Sequence, residues 1–210
     1  MKRSLCVFTM AASMLAAAPL AQATIITYRA ELSGANEAPP NASPGTGSAI
    51  VITNDVANTM SIHASFSGLD GAVTAAHVHC CTAVPFAGTA GVATTTPTFV
   101  GFPLGVTAGT YDTVLDMLLA GSYNPSFVTA HGGTPASAGA FLFAGMPLGG
   151  SYLNIHTTAF PGGEIRGFLT QVPEPASLAL LGLGLAGLGV SAARKRRRDS
   201  FIDERGTGAA

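Results

Sequence analysis

Apolar and polar residues alternate through most of the middle of this chain. In "NTMSIHASFSGL", Met60, Ile62, Ala64 and Phe66 alternate with Ser61, His63 and Ser65. A period of two turns one face of a strand to a core and the other to water. Similar short stretches are "TIITYRAEL", "GSAIVITND", "AVTAAHVH", "TYDTVLDML", "SYLNIHT" and "GEIRGFLT". Turn-rich runs such as "GANEAPPNASPGTG" and "FPGG" separate them, because Gly, Pro and Asn favour turns over strand pairing. This many strand segments in one domain predict an all-β fold, an antiparallel β-sandwich or barrel with Greek-key-like connections. The stretch "PASAGAFLFAG", Pro135 to Gly145, breaks the pattern. Its small, weakly β-forming residues predict one short helix.

The two ends follow a different pattern. "MKRSLCVFTMAASMLAAAPLAQA" starts with Lys2 and Arg3, runs apolar from Leu5 to Leu20 and closes on Ala21-Gln22-Ala23. These are the parts of a secretory signal peptide, so residues 1–23 are expected to be removed by signal peptidase. At the other end no charged residue lies between Ala176 and Ala193, and Arg194 to Arg198 form a basic cluster. A helix over 176–193 would be about 27 Å long, just enough to span a bilayer. The basic cluster is held on the cytoplasmic side, which leaves 199–210 as a cytoplasmic tail and the body outside. The order of Val172-Pro173-Glu174-Pro175, one apolar helix and an arginine cluster resembles the PEP-CTERM sorting signal of bacterial surface proteins. That resemblance implies processing by an exosortase, after inner-membrane anchoring, and delivery to the cell surface or exopolysaccharide matrix. The tail after Arg198 departs from the usual pattern, which ends soon after its basic cluster.

Removing both signals changes the charge balance. The whole chain carries a formal charge of −1. The body, 24–171, has only Arg29 and Arg166 against Glu31, Glu37, Asp55, Asp70, Asp112, Asp116 and Glu164, a formal charge of −5. No basic footprint for nucleic acid is present. Cys6 leaves with the signal peptide, so an oxidising compartment receives the adjacent pair Cys80 and Cys81. Neighbouring cysteines cannot staple distant segments, and the core must supply the stability.

Four stretches of the body carry a second likeness: "LSGANEAPP" (32–40), "FSGLDGAVTAAHVH" (66–79), "YLNIHT" (152–157) and "PGGEIRGFL" (161–169). In this order they resemble the CHRD domain, the repeat first described in chordin. The resemblance implies an all-β extracellular domain and marks Asn36, Glu37, Glu164 and Arg166 as its polar motif residues. It implies no reaction. The chain departs from the family at Cys80-Cys81 and in the insert that follows, to about Gly133.

Candidate chemistry centres on "AAHVHCCTA". His77, His79 and Cys81 would share one face of an extended strand, with Cys80 on the other. His156, on a strand face with Tyr152 and Asn154, is the natural further ligand. Three imidazoles, with or without the Cys81 thiolate, suit zinc or copper. The competing readings are histidines that hydrogen-bond loop backbone, and a vicinal disulfide between Cys80 and Cys81. His63 is expected in solvent and His131 in a glycine turn. Glu164 and Arg166 predict an ion pair or paired hydrogen bonds to loop backbone. Neither paired carboxylates at glycosidase spacing nor a nucleophile elbow occurs. The expectation is an exported, non-enzymatic β domain with a structural, adhesive or ligand-binding role and no required cofactor. The second reading is an extracytoplasmic copper or zinc protein.

Overall fold

The computed structural model describes residues 24–173, together with 183–185, 187–191 and 194. The signal peptide, Glu174-Pro175, most of the 176–193 helix, nearly all of the basic cluster and the 199–210 tail lie outside the described residues. Among the described residues, no helix is long and apolar enough to cross a membrane.

Eight strands form among the described residues: β1 (Ile25–Ser33), β2 (Thr46–Asn54), β3 (Thr59–Ser67), β4 (Val73–His79), β5 (Gly109–Asp116), β6 (Tyr152–Thr157), β7 (Ile165–Phe168) and β8 (Thr170–Gln171). Every alternating stretch lies on one of them, with "GEIRGFLT" divided between β7 and β8. They make one antiparallel sheet in the order β4-β6-β7-β1-β2-β3-β5, with β8 also paired to β1. The sheet curls into half a barrel. Among the described residues the strands make this one curled sheet and not two facing ones, so of the expected sandwich or barrel the sandwich is corrected. β1, β2 and β3 follow one another as a meander. The links β3–β4, β4–β5 and β5–β6 each run from one flank of the sheet to the other.

The concave side is the core. Tyr28, Ala30 and Leu32 of β1, Ala49 and Val51 of β2, and Met60, Ile62, Ala64 and Phe66 of β3 are all buried in one cluster. Phe99 stacks on Tyr111, and Phe102 lies tilted against both in the same cluster. The helical segment supplies the remaining wall. α1 (Pro125–Ala130) starts at Asn124, whose side chain accepts the Ser126 amide, and α2 (Pro135–Gly145) starts on a Thr134/Ser137 capping box. Each has proline at its first turn, where no backbone donor is lost. α2 occupies the predicted span. α1 was not anticipated, although Asn124-Pro125 is the start signal for such a helix. Phe127, Ala138, Leu142 and Met146 join the same cluster as the sheet.

β4 would leave an open edge, but the segment 80–108 covers it. The Cys80 amide donates to Gly91 O (3.1 Å), the Val78 amide to Thr94 Oγ1 (2.9 Å), the Ala93 amide to Val78 O (2.9 Å) and the Phe99 amide to Ala76 O (3.2 Å). The unpaired groups that invite aggregation on an edge strand are thus satisfied within the chain. This segment completes the sheet.

Candidate functional site

The site lies on the convex face of β4, β6 and β7, where polar side chains are buried by loops instead of core. A β-bulge between Val73 and Ala75 sets it up. Val73 and Ala76 both point inward, three positions apart, so the bulge shifts the alternation and sends Ala75, His77 and His79 outward. On β6, Leu153 and Ile155 are buried in the core, which turns Tyr152, Asn154 and His156 to the same convex face.

Register then brings the histidines together. Ala75 pairs with His156, His77 with Asn154 and His79 with Tyr152. Ring centroids are 5.3 Å apart for His77 and His156, 5.8 Å for His77 and His79, and 6.0 Å for His79 and His156. Each ring has one nitrogen on a loop carbonyl: His77 Nε2 on Pro97 O (2.6 Å), His79 Nδ1 on Ala90 O (2.9 Å) and His156 Nδ1 on Pro161 O (3.0 Å). The other nitrogen of each, His77 Nδ1, His79 Nε2 and His156 Nε2, is buried without a hydrogen-bond partner. Burial lowers the pKa of all three, with carbonyl bonds opposing, and that of His79 falls to about 4. Burial therefore favours the neutral form of each ring.

Cys81 does not belong to this group, which corrects its place in the expected ligand set. Its sulfur is bonded to that of Cys80. β4 ends at His79, Cys80 enters the core cluster, and Cys81 packs beside it close to Gly145 of α2. The strand alternation that would have put Cys81 beside the histidines has ended by then.

Next to the histidines, Arg166 of β7 is 4 % exposed. Its guanidinium lies 4.7 Å from the centre of the Tyr152 ring and 5.6 Å from that of Phe168. Its Nε donates to Asn36 O and stands 3.8 Å from Glu37 Oε2. Burial pushes the Glu37 carboxyl up to about 7, against the opposing pull of Arg166. Tyr152 in turn stacks on His79 with centroids 4.7 Å apart.

Glu164 is a separate junction. Its Oε1 accepts Ser43 Oγ (2.6 Å) and the Asp70 amide (2.6 Å), and its Oε2 accepts Thr157 Oγ1 (2.5 Å) and the Gly71 amide (3.2 Å). Burial alone would raise its pKa. The two hydroxyls and two amides outweigh burial and hold it below the usual carboxylate value. Glu164 thus bonds to loop backbone and hydroxyls, while Arg166 takes Glu37 as its charged neighbour. Ser43, Thr157 and the three loop carbonyls escaped the sequence reading. A carbonyl leaves no residue-type signal, and serine and threonine are too common in this chain to single out two.

His63 is exposed, with Nδ1 2.5 Å from Asp112 Oδ1, and His131 stacks on Phe141 beside the Gly132-Gly133 turn. Neither approaches the cluster of His77, His79 and His156, whose candidate ligand atoms all lie within 4.8 Å of one another.

The four stretches 32–40, 66–79, 152–157 and 161–169 therefore meet around one polar centre despite their separation in sequence. In comparison with protein families, the CHRD domain model matches residues 28–169. The chain belongs to the CHRD domain family. In this CHRD domain the matched region runs from β1 to the residue before β8. The PEP-CTERM protein-sorting motif matches residues 171–197, and it implies export, processing by an exosortase and association with the membrane. No curated protein and no solved structure matches the chain.

Proposed function

We propose that this protein is a non-enzymatic binding module presented at the cell surface or in the exopolysaccharide matrix, with the convex face of β4, β6 and β7 as its binding face. The supporting observation is where the sheet stops. The Val172 amide donates to Thr27 O at 2.8 Å, and the next residue is Pro173, which opens the Pro-Glu-Pro motif. β1 and β8 are paired neighbours, so both ends of the domain sit on adjacent strands. Cleavage at the motif would leave every strand pairing intact and release a folded domain without a linker. Two charged groups at this face are spent on structure. Both oxygens of Glu164 are occupied, and Arg166 is committed to Asn36 and Glu37. Groups spent in this way hold a surface in shape.

Replacing Pro173-Glu174-Pro175 by three alanines in the full chain tests the presentation. Retention in the membrane fraction at the unprocessed mass is expected. An unchanged mature mass, or a tagged wild-type protein found in the cytoplasm, would refute the proposal.

A further inference from the structure

The three histidines allow a sharper statement than binding in general. A carbonyl oxygen can only accept, so the ring nitrogen facing it must carry the hydrogen. That assigns N–H to His77 Nε2, His79 Nδ1 and His156 Nδ1. A neutral imidazole has one N–H, and the lone pairs are thereby placed on His77 Nδ1, His79 Nε2 and His156 Nε2. These are the three buried nitrogens without a partner, and one ring nitrogen from each of the three histidines lies within 4.8 Å of the others.

Three buried acceptors within one cluster are costly, about 1–3 kcal/mol for each one left unsatisfied. One water carries two hydrogens and can serve two of them. The nearest cationic side chain, Arg166, is held over Tyr152 and on Asn36 O. A single cation can satisfy all three. We propose that His77 Nδ1, His79 Nε2 and His156 Nε2 bind one transition-metal ion of the zinc or copper type.

Donor chemistry sets that class. Three imidazoles suit zinc and copper, whereas calcium and magnesium require several oxygen ligands. Nitrogens about 2.0–2.1 Å from a tetrahedral ion stand roughly 3.3 Å apart. Side-chain closure on the order of 1 Å brings the set to that spacing. The carbonyls of Ala90, Pro97 and Pro161 play the part usual around ligating histidines, fixing the tautomer and the ring plane. Two of them belong to the 80–108 segment, so the cover of β4 also orients the ligands.

This inference rests on the binding role of the convex face but not on the destination of the protein. Purified full-length protein, stripped with a chelator, is dialysed separately against zinc sulfate and copper(II) sulfate, and bound metal is counted by mass spectrometry. One ion per chain is expected with at least one of the two. His79→Gln should weaken binding by about 100-fold or more, the upper range for losing even an outer-layer partner. His63→Gln, on the exposed strand face, should change nothing. Long-range nitrogen–proton spectra of the zinc-loaded wild type should show His77 coordinating through Nδ1 and the other two through Nε2. This readout decides the matter even if His79→Gln fails to fold. The assignment is overturned if folded wild type holds neither metal, if affinity survives His79→Gln, if it falls in His63→Gln, or if the coordinating nitrogens differ. Fractionation of the same chain is independent: metal-free protein at the surface would sink the ligand assignment alone, and metal-loaded protein in the cytoplasm would sink the presentation alone.

Discussion

Exchanging Glu164 for glutamine keeps the shape of the side chain and turns one oxygen into an NH2 group. Glu164 is fully buried, and each of its oxygens accepts two hydrogen bonds, from Ser43 and Asp70 on one side and Thr157 and Gly71 on the other. If the amide oxygen stays with Ser43 and Asp70, the NH2 faces the Thr157 hydroxyl and the Gly71 amide. The hydroxyl can turn to accept, but the Gly71 N–H cannot, and it is left without a partner. Losing that bond to a charged acceptor costs about 1.5–3 kcal/mol, and the remaining bonds weaken once the charge is gone. Relief of the burial of a charge offsets part of this. A net loss of about 3 kcal/mol is expected, a sizeable part of the roughly 5–15 kcal/mol that stabilises a domain. In urea, with a slope of about 2 kcal/mol per molar, the midpoint should fall by about 1.5 M. The pH dependence is a second signature. Because the folded-state pKa lies below 4.5, the carboxylate's contribution is present above that pH and is lost as pH falls through the folded value. The gap between wild type and variant should therefore narrow in acid. A gap below about 1 kcal/mol at pH 7, or one that widens in acid, would show that this junction is not what ties the loops together.

Two further predictions concern the same face. Glu37 has the opposite sign: burial raises its pKa from 4.5 to about 7, so the folded state holds its proton more tightly than the unfolded chain. Its contribution is full below pH 4.5 and declines as pH rises through 7, by at most about 3 kcal/mol. Melting temperatures at pH 5 and pH 8 should show this decline in wild type and not in Glu37→Gln, and equal pH dependence in both would contradict it. Thr94→Val keeps the shape of the side chain but removes the acceptor of the Val78 amide, in the strand between His77 and His79. A loss of about 2 kcal/mol and faster hydrogen exchange at Val78 are expected, and unchanged exchange there would mean that the 80–108 segment does not hold β4.

Local patterns carried much of the fold. Alternation located the strands, because a half-buried strand must repeat every two residues. It also put Tyr152, Asn154 and His156 on one face. α2 was legible from its small residues, while α1, only six residues long, offered little beyond Asn124-Pro125. The single curled sheet was not legible, since one sheet and two facing sheets use the same alternation and differ only in which strands pair. The site divides in the same way. That His77 and His79 share a face follows from their spacing. That Cys81 leaves that face does not, because it depends on where β4 stops pairing.

The sequence by itself determined the strands, the spacing of His77 and His79, the motif residues and the sorting signal, all of which reside in neighbouring residues. The tertiary structure alone decided that a bulge at Val73 to Ala75 turns the histidines outward, and that β4 lies beside β6. It also decided that Pro97, Ala90 and Pro161 present carbonyls to one nitrogen of each ring. The physical reason is range. Register and loop closure join residues about 80 positions apart through backbone groups that every residue shares, and side-chain identity does not record which of them will meet.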